Sequence, residues 1–211
     1  NTGTQMAGWF KKEINSLEDM QGLKLRLPGL AGEAMNGIGV STVNMAGSEI
    51  FTSLQTGALD AADWVGPYND LAFGLHQVAD YYYTSVWNEP SAVLEGTINL
   101  DAWNALPEDL QDVIREAARA SNLAMISEFA YRNAQALETL VEEHGVQLRT
   151  FPEDVMAALY ESSKQAIQRQ VESDEESRRV YESYSAFQKV VRPFSDAGEY
   201  AYLKSRDNVG A

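Results

Sequence analysis

The stretch GSEIFTSLQTGALDAADWVGPYND, residues 47–70, changes its pattern halfway along. Its first part has helix grammar: Ser48 is a good N-cap type, Glu49 falls where the positive helix end favours acid, and Gly57 supplies a stop. Its second part, ALDAADWV (58–65), reads as a buried strand closed by Gly66-Pro67. A short helix followed by a short strand is the unit of an α/β sheet, and the flanking sequence repeats it. LKLRLP (23–28) places Leu23, Leu25 and Leu27 on one face, with Lys24 and Arg26 on the other. GVSTVNM (39–45), YYYTSVW (81–87), SAVLEGTINL (91–100) and VQLRTF (146–151) are further strand candidates. Strands alternating with helices of this size predict a mostly parallel α/β sheet.

The second half has a different rhythm. From Pro107 the apolar residues Leu110, Val113, Ile114, Ala117, Ala118, Met125, Phe129, Leu137, Leu140 and Val141 recur at helical spacing, and Gly145 follows as a terminator. Continuous, that helix is about 55 Å long, too long to bury its apolar stripe against a small sheet. A second helical region opens at Pro152, with a break predicted at ESDEES (172–177).

Composition removes several function classes. The chain has 211 residues, a 45% hydrophobic fraction and a formal net charge of −15. No basic patch is available to displace counterions from phosphates, which argues against nucleic acid and against an anionic membrane surface. With no cysteine, thiol catalysis and Cys-based zinc sites are excluded. No signal peptide and no apolar run long enough to span a bilayer is visible. The first residue is Asn1 rather than Met, the expectation for a processed product or an excised piece. A net-negative protein that captures an anion must do so with a few local positive groups.

The chemistry-bearing residues are few. His76 and His144 read as ordinary surface or helix-end residues, and no nucleophile elbow, zinc helix or phosphate loop is present. Arg26 stands at the carboxyl end of its predicted strand, where ligands collect in open α/β sheets. Its planar fork suits a carboxylate; the plain alternative is an arginine on the exposed face of an edge strand. Asp63 and Trp64 end another predicted strand, and Glu89-Pro90 follows the aromatic run. Surface turns and a core tryptophan are the plain readings of these. Tyr68 and Trp64 are candidate apolar walls.

At these residues the sequence resembles the extracytoplasmic solute-binding proteins of tripartite ATP-independent periplasmic (TRAP) transporters, in particular the branch that binds 2-oxo acids such as pyruvate. GWFKKEI, LKLRLPGLAGE, GSEIFTSLQTGALDAADWVGPYNDLAFGL, VWNEPS, AWNALPEDLQ and VYESYSAFQ carry the resemblance. It implies an α/β fold of periplasmic-binding-protein-like (type II) lobes with long inter-lobe and C-terminal helices. Residues 1–95 would form mainly a second-lobe segment lining the cleft, 96–151 the inter-lobe helix and returning strand, and 152–211 the C-terminal helices. It also implies that Arg26 grips the solute carboxylate and that Gln5 is a second solute contact. Asp63 and Glu89 match carboxylate ligands of a bound cation, and Trp64 would contribute its backbone carbonyl. The family carries glutamate at the Asp63 position, a longer side chain with the same oxygen donor.

A hard cation, sodium or calcium, fits such a site because it bridges two carboxylates and an anionic solute that would otherwise repel. The resemblance thus implies a periplasmic receptor, not an enzyme, that passes a small monocarboxylate to a membrane permease. A sugar alcohol or an aromatic acid is the alternative solute. From other classes, the alternatives are an enzyme using Asp63 and Glu89 as an acid/base pair and a helical assembly module with a vestigial pocket. Family members are longer at the N-terminus, so the chain resembles their C-terminal portion and is expected to bind solute poorly by itself. The stripe in RRVYESYSAFQKVV (178–191) predicts a homodimer formed by exchange of C-terminal helices.

Overall fold

Among the described residues, six short strands form one mixed sheet: β1 (Gly8–Phe10), β2 (Lys24–Arg26), β3 (Ser41–Val43), β4 (Ala61–Ala62), β5 (Tyr81–Tyr83) and β6 (Gln147–Arg149). The computed structural model describes residues 1–84 and 86–208. Ser85, within the predicted strand 81–87, and the last three residues of the predicted C-terminal segment lie outside the described residues. The spatial order is β3-β2-β4-β1-β5-β6. The pairs β2–β3, β2–β4 and β5–β6 are parallel, whereas β1 runs antiparallel to both β4 and β5. Five of these six strands run the same way, as expected of a mostly parallel sheet, and β1 runs against them. The strand that breaks it, Gly8-Trp9-Phe10, is buried on both faces and shows no alternation that would betray it in sequence.

Each face of the sheet has its own core. On one, Phe10, Ala61 and Tyr83 pack with Leu25, Met35 and Phe151; on the other, Trp9, Ala62 and Tyr82 pack with Ile50, Leu54 and Leu140. The strand period of two thus sends neighbouring residues of β1, β4 and β5 into opposite cores. Gly8 makes the centre possible: its φ is 110°, and a Cβ there would sit 2.9 Å from the Ala62 carbonyl oxygen.

The helices are α1 (Gly29–Gly37), α2 (Gly47–Thr56), α3 (Pro67–Ala72), α4 (Leu100–Asn104), α5 (Glu108–Glu142), α6 (Glu153–Ser173), α7 (Glu175–Ser195) and α8 (Ala201–Asn208). Gly57 closes α2 in the left-handed conformation, as its position predicts. Ser48 is not the N-cap; Ala46 is, and the helix starts at Gly47, whose bare backbone leaves room for the Trp64 ring. The segment 91–100 is not a strand. It is irregular up to α4 and joins neither edge of the sheet; Val93 is 77% exposed, and strand-type side chains with no partner to pack against do not fix the backbone. The long helix α5 is continuous for 35 residues, and its buried residues, Ala136 and Leu140, lie near its C-terminal end.

Two compact units divide the chain, Asn1–Ser163 and Lys164–Ala211. The first holds the sheet and both cores. The second is helical. Asp174 breaks the helix at the predicted place, accepting a hydrogen bond from the Ser177 N–H to start α7. Along α7, Val180, Tyr184, Phe187, Val190 and Phe194 are exposed. Among the described residues no helix is long and apolar enough to cross a membrane.

Candidate functional site

The topology gathers several chain crossings at one end of the sheet. In the parallel pair β2–β4, Arg26 lies beside Ala62, so both strands leave the sheet at the same end. Because β1 is antiparallel to β4 and β5, the chain enters β1 where those two strands exit. Gln5 precedes β1, Arg26 ends β2, Asp63 and Trp64 follow β4, and Asn88 and Glu89 follow β5. All of them line one hollow of about 430 Å³, together with Leu27, Pro28, Leu30, Ala31, Val65 and Ala92. The five residues singled out from the sequence, Gln5, Arg26, Asp63, Trp64 and Glu89, are therefore brought together. Two local expectations need revision. Arg26 is not on an edge strand, since β2 lies between β3 and β4, and Glu89 stands on irregular chain rather than at a strand end.

Arg26 is half-buried and oriented by its neighbours. Its Nη1 donates to the Asp63 carbonyl oxygen at 2.9 Å, and its guanidinium carbon lies 5.4 Å from the centre of the Trp64 ring. Its Nε is buried and has no hydrogen-bond partner among the described residues. Burial lowers the Arg26 pKa and the Asp63 charge opposes that shift; an arginine nonetheless stays charged. Asp63 is 6% exposed. Burial pushes its carboxyl up to about 7, Asp70 and Glu89 push the same way, and Arg26 and the Trp64 N–H hold it down.

An oxygen-liganded cation fits this residue set. The lining residues offer two carboxylates and a peptide carbonyl, all hard donors. The buried Asp63 carboxylate meets more negative than positive charge. Among the described residues no cluster of three or more acidic or histidine side chains could hold a metal. A cation here would accordingly complete its shell with oxygens from a bound molecule or water.

Sequence reasoning missed Asp70, 1% exposed. Its Oδ2 accepts from Trp9 Nε1 at 2.9 Å and from the Tyr82 hydroxyl at 2.6 Å. Its Oδ1 accepts from the Val65 and Gly66 N–H groups at 3.2 and 3.1 Å. Burial raises its pKa to about 6 against the pull of these four donors. A signal was present: an acidic residue in the first turn after Gly-Pro can reach back to free backbone N–H groups. Tyr68 is not among the lining residues. It packs edge-on to Phe129 of α5, beneath Arg132, and its N–H donates to Asn133 Oδ1 at 2.9 Å. Trp64 does line the hollow, its ring leaning on Phe73. His76 and His144 stack on each other at 4.1 Å and do not line the hollow.

Residues 1–174 match the family described as bacterial extracellular solute-binding protein, family 7 (DctP). The chain is 39% identical over 202 residues to a monocarboxylate 2-oxoacid-binding periplasmic protein of Nostoc sp., covering 96% of this chain and 55% of that one. It resembles a TRAP periplasmic solute-binding protein from Pseudoalteromonas atlantica, solved with bound sodium and pyruvate, at a TM-score of 0.88 and 38% identity. That match covers 97% of this chain and 62% of the other. A TRAP solute-binding protein from Bordetella bronchiseptica, a mixed-occupancy dimer with calcium and picolinate, matches at a TM-score of 0.91 and 32% identity over 99% of this chain and 62% of that one. The chain thus spans little more than half the length of these relatives. The fold is that of the type II-like periplasmic binding proteins.

Proposed function

This chain belongs to family 7 of the bacterial extracellular solute-binding proteins, receptors rather than enzymes, and from that premise we propose that it binds a small monocarboxylate through a bridging cation. A 2-oxo acid such as pyruvate is the proposed solute. The observation that carries this reading is the convergence of Gln5, Arg26, Asp63, Trp64 and Glu89 on one hollow.

The charges support it. Arg26, Asp63, Glu89 and a monoanionic solute sum to a net negative site, which a monovalent ion reduces and a divalent ion cancels. Sodium or calcium would be held by Asp63, Glu89 and the Trp64 carbonyl; when bound it attracts the solute's oxygens as a hard Lewis acid. Arg26 is proposed to take the carboxylate, for which its planar fork is suited. Gln5, buried at the mouth of β1, offers both a donor and an acceptor. Leu27, Leu30 and Val65 give apolar wall for a short aliphatic group.

The picolinate-bound neighbour favours a second solute class. Picolinate, like a 2-oxo acid, presents a carboxylate with a donor atom on the adjacent carbon, so an aromatic 2-carboxylate meets the same cation in the same way.

The proposal includes a periplasmic setting, in keeping with the family, and delivery to the permease subunits of a TRAP transporter. It also includes the lobe assignment of residues 1–95, 96–151 and 152–211, and a homodimer through α7. For the dimer the support is the exposed stripe Val180, Tyr184 and Phe187, which borders shallow recesses on that helix, and the dimeric neighbour.

The test is thermal melting of the chain against pyruvate, lactate, picolinate, mannitol and succinate, each raised to a concentration at which even the weak binding expected of this chain by itself shifts the Tm, with and without sodium or calcium. The expected outcome is a cation-dependent rise in Tm with pyruvate that Arg26→Ala abolishes. A rise that survives Arg26→Ala, or no rise with any 2-carboxylate under any ion, overturns the reading. Conversion of pyruvate or lactate into a product would point to an enzyme instead.

A further inference from the structure

We propose that Asp70 is a positioning residue: its carboxylate sets the course of the Val65–Gly66 turn, and with it the placement of the Asp63 carboxylate and the Trp64 carbonyl. The inference rests on the reading of the hollow as a solute and cation site, and it deepens that reading.

The geometry divides the labour between the two oxygens. Oδ2 is fixed by Trp9 of β1 and Tyr82 of β5, both fully buried and stacked at a centroid distance of 4.1 Å. Oδ1 holds two consecutive backbone N–H groups directly after Trp64. Asp70 therefore bridges the most deeply buried part of the sheet to the turn that follows β4. Two further bonds hold the same few residues: Arg26 Nη1 takes the Asp63 carbonyl, and Asn133 of α5 takes the Tyr68 N–H. None of these bonds uses the Trp64 carbonyl. The donors of the turn are tied inward, and an oxygen is left for a ligand.

The position demands a residue that only accepts. An indole N–H can donate but not accept, whereas a tyrosine hydroxyl does both. In Asp70→Asn the amide has one oxygen for two sets of donors. Either the turn loses its acceptor or the amide NH2 faces Trp9 Nε1. Trp9→Phe removes that conflict, because Tyr82 can rotate to accept from the new amide. If Asp70 acted only by stabilising the core, Trp9→Phe would add damage to Asp70→Asn. If it positions the turn, the second change repairs the first.

The experiment compares wild type, Asp70→Asn, Trp9→Phe and the double variant by two readouts: hydrogen exchange at the Val65 and Gly66 amides without ligand, and pyruvate affinity in calcium. Asp70→Asn is expected to speed exchange at those two amides by about tenfold or more relative to the Tyr82 amide, and to weaken pyruvate by about tenfold. The double variant is expected to recover both to within about threefold. No change in Asp70→Asn, or a double variant worse than the single, overturns the proposal. Should Asp70→Asn fail to fold, Tyr82→Phe decides: it keeps both turn bonds, so protected amides with affinity within about threefold support the role, and a tenfold loss refutes it. A wild type that ignores pyruvate and calcium defeats the solute reading alone; the exchange comparison still judges Asp70.

Discussion

Arg26, Asp63 and Trp64 leave the sheet at the ends of interior strands, above a core in which Trp9 and Tyr82 are fully buried; Asn88 and Glu89, which line the same hollow, stand on irregular chain between β5 and α4. The first wall is fixed by hydrogen bonds that cross between strands, a helix and the turn. The second is joined to the N-terminal segment by Thr2 N–H to the Ala92 carbonyl, the Ala92 N–H to Thr2 Oγ1, and Ser91 Oγ to Asn1 Oδ1. Those bonds couple the chain near Glu89 to the chain near Gln5. The strand-end wall is thus built before any solute arrives, because folding the sheet builds it. The outer wall takes its position from a short zipper.

Substitutions should hurt in that order. Trp9→Ala removes a fully buried indole, its stacking on Tyr82 and a donor to Asp70, and should cost about 3–5 kcal/mol in denaturant unfolding. Gly47→Ala would put a Cβ 2.5 Å from Trp64 Cη2. The ring must shift, at about 1–3 kcal/mol, and with it the face on which Arg26 lies; calorimetry should show weaker pyruvate binding. Glu89→Gln, on the exposed wall, keeps one oxygen and removes a charge. It should weaken calcium by roughly tenfold, about 1.4 kcal/mol, with Tm unchanged in the absence of ligand. A larger loss of pyruvate affinity from Glu89→Gln than from Gly47→Ala would reverse the ranking of the two walls.

The smallest effect concerns neither wall. Burial, and then the neighbouring His144, push the His76 pKa below its ordinary 6.5. The folded chain therefore binds fewer protons than the unfolded one just below pH 6.5, so the His76 contribution is complete above that value and is lost as pH falls. His76→Gln should flatten the acid side of the Tm-versus-pH curve and leave pyruvate affinity at neutral pH untouched.

What the sequence could show follows from where each signal is written. The alternating leucines of 23–27 and the helix of 47–56 are local patterns, and both are present, the helix with Ala46 rather than Ser48 at its cap. That Arg26 and Asp63 line one hollow was legible because both stand at predicted strand ends on the same side of the sheet. β1 was not. Three buried residues carry no period, and their pairing with 61–62 and 81–83 is a long-range fact. The segment 91–100 has strand composition but pairs with no strand, so its propensity, which depends on packing against neighbours, did not decide its backbone. Asp70 resembles any acid in a first helical turn until Trp9 and Tyr82, far away in sequence, are seen to donate to it.

The antiparallel strand at the middle of the sheet also dictates an order of assembly. β2 and β3 can pair early, since little chain separates them. Gly8–Phe10 must wait for partners that are synthesised much later, the last of them at Tyr81–Tyr83. A nascent chain halted before Tyr83 would hold the arginine and the aspartate in its covalent length, yet lack the strand that seats their surroundings, so the proposed capacity to capture a solute would emerge abruptly rather than by degrees.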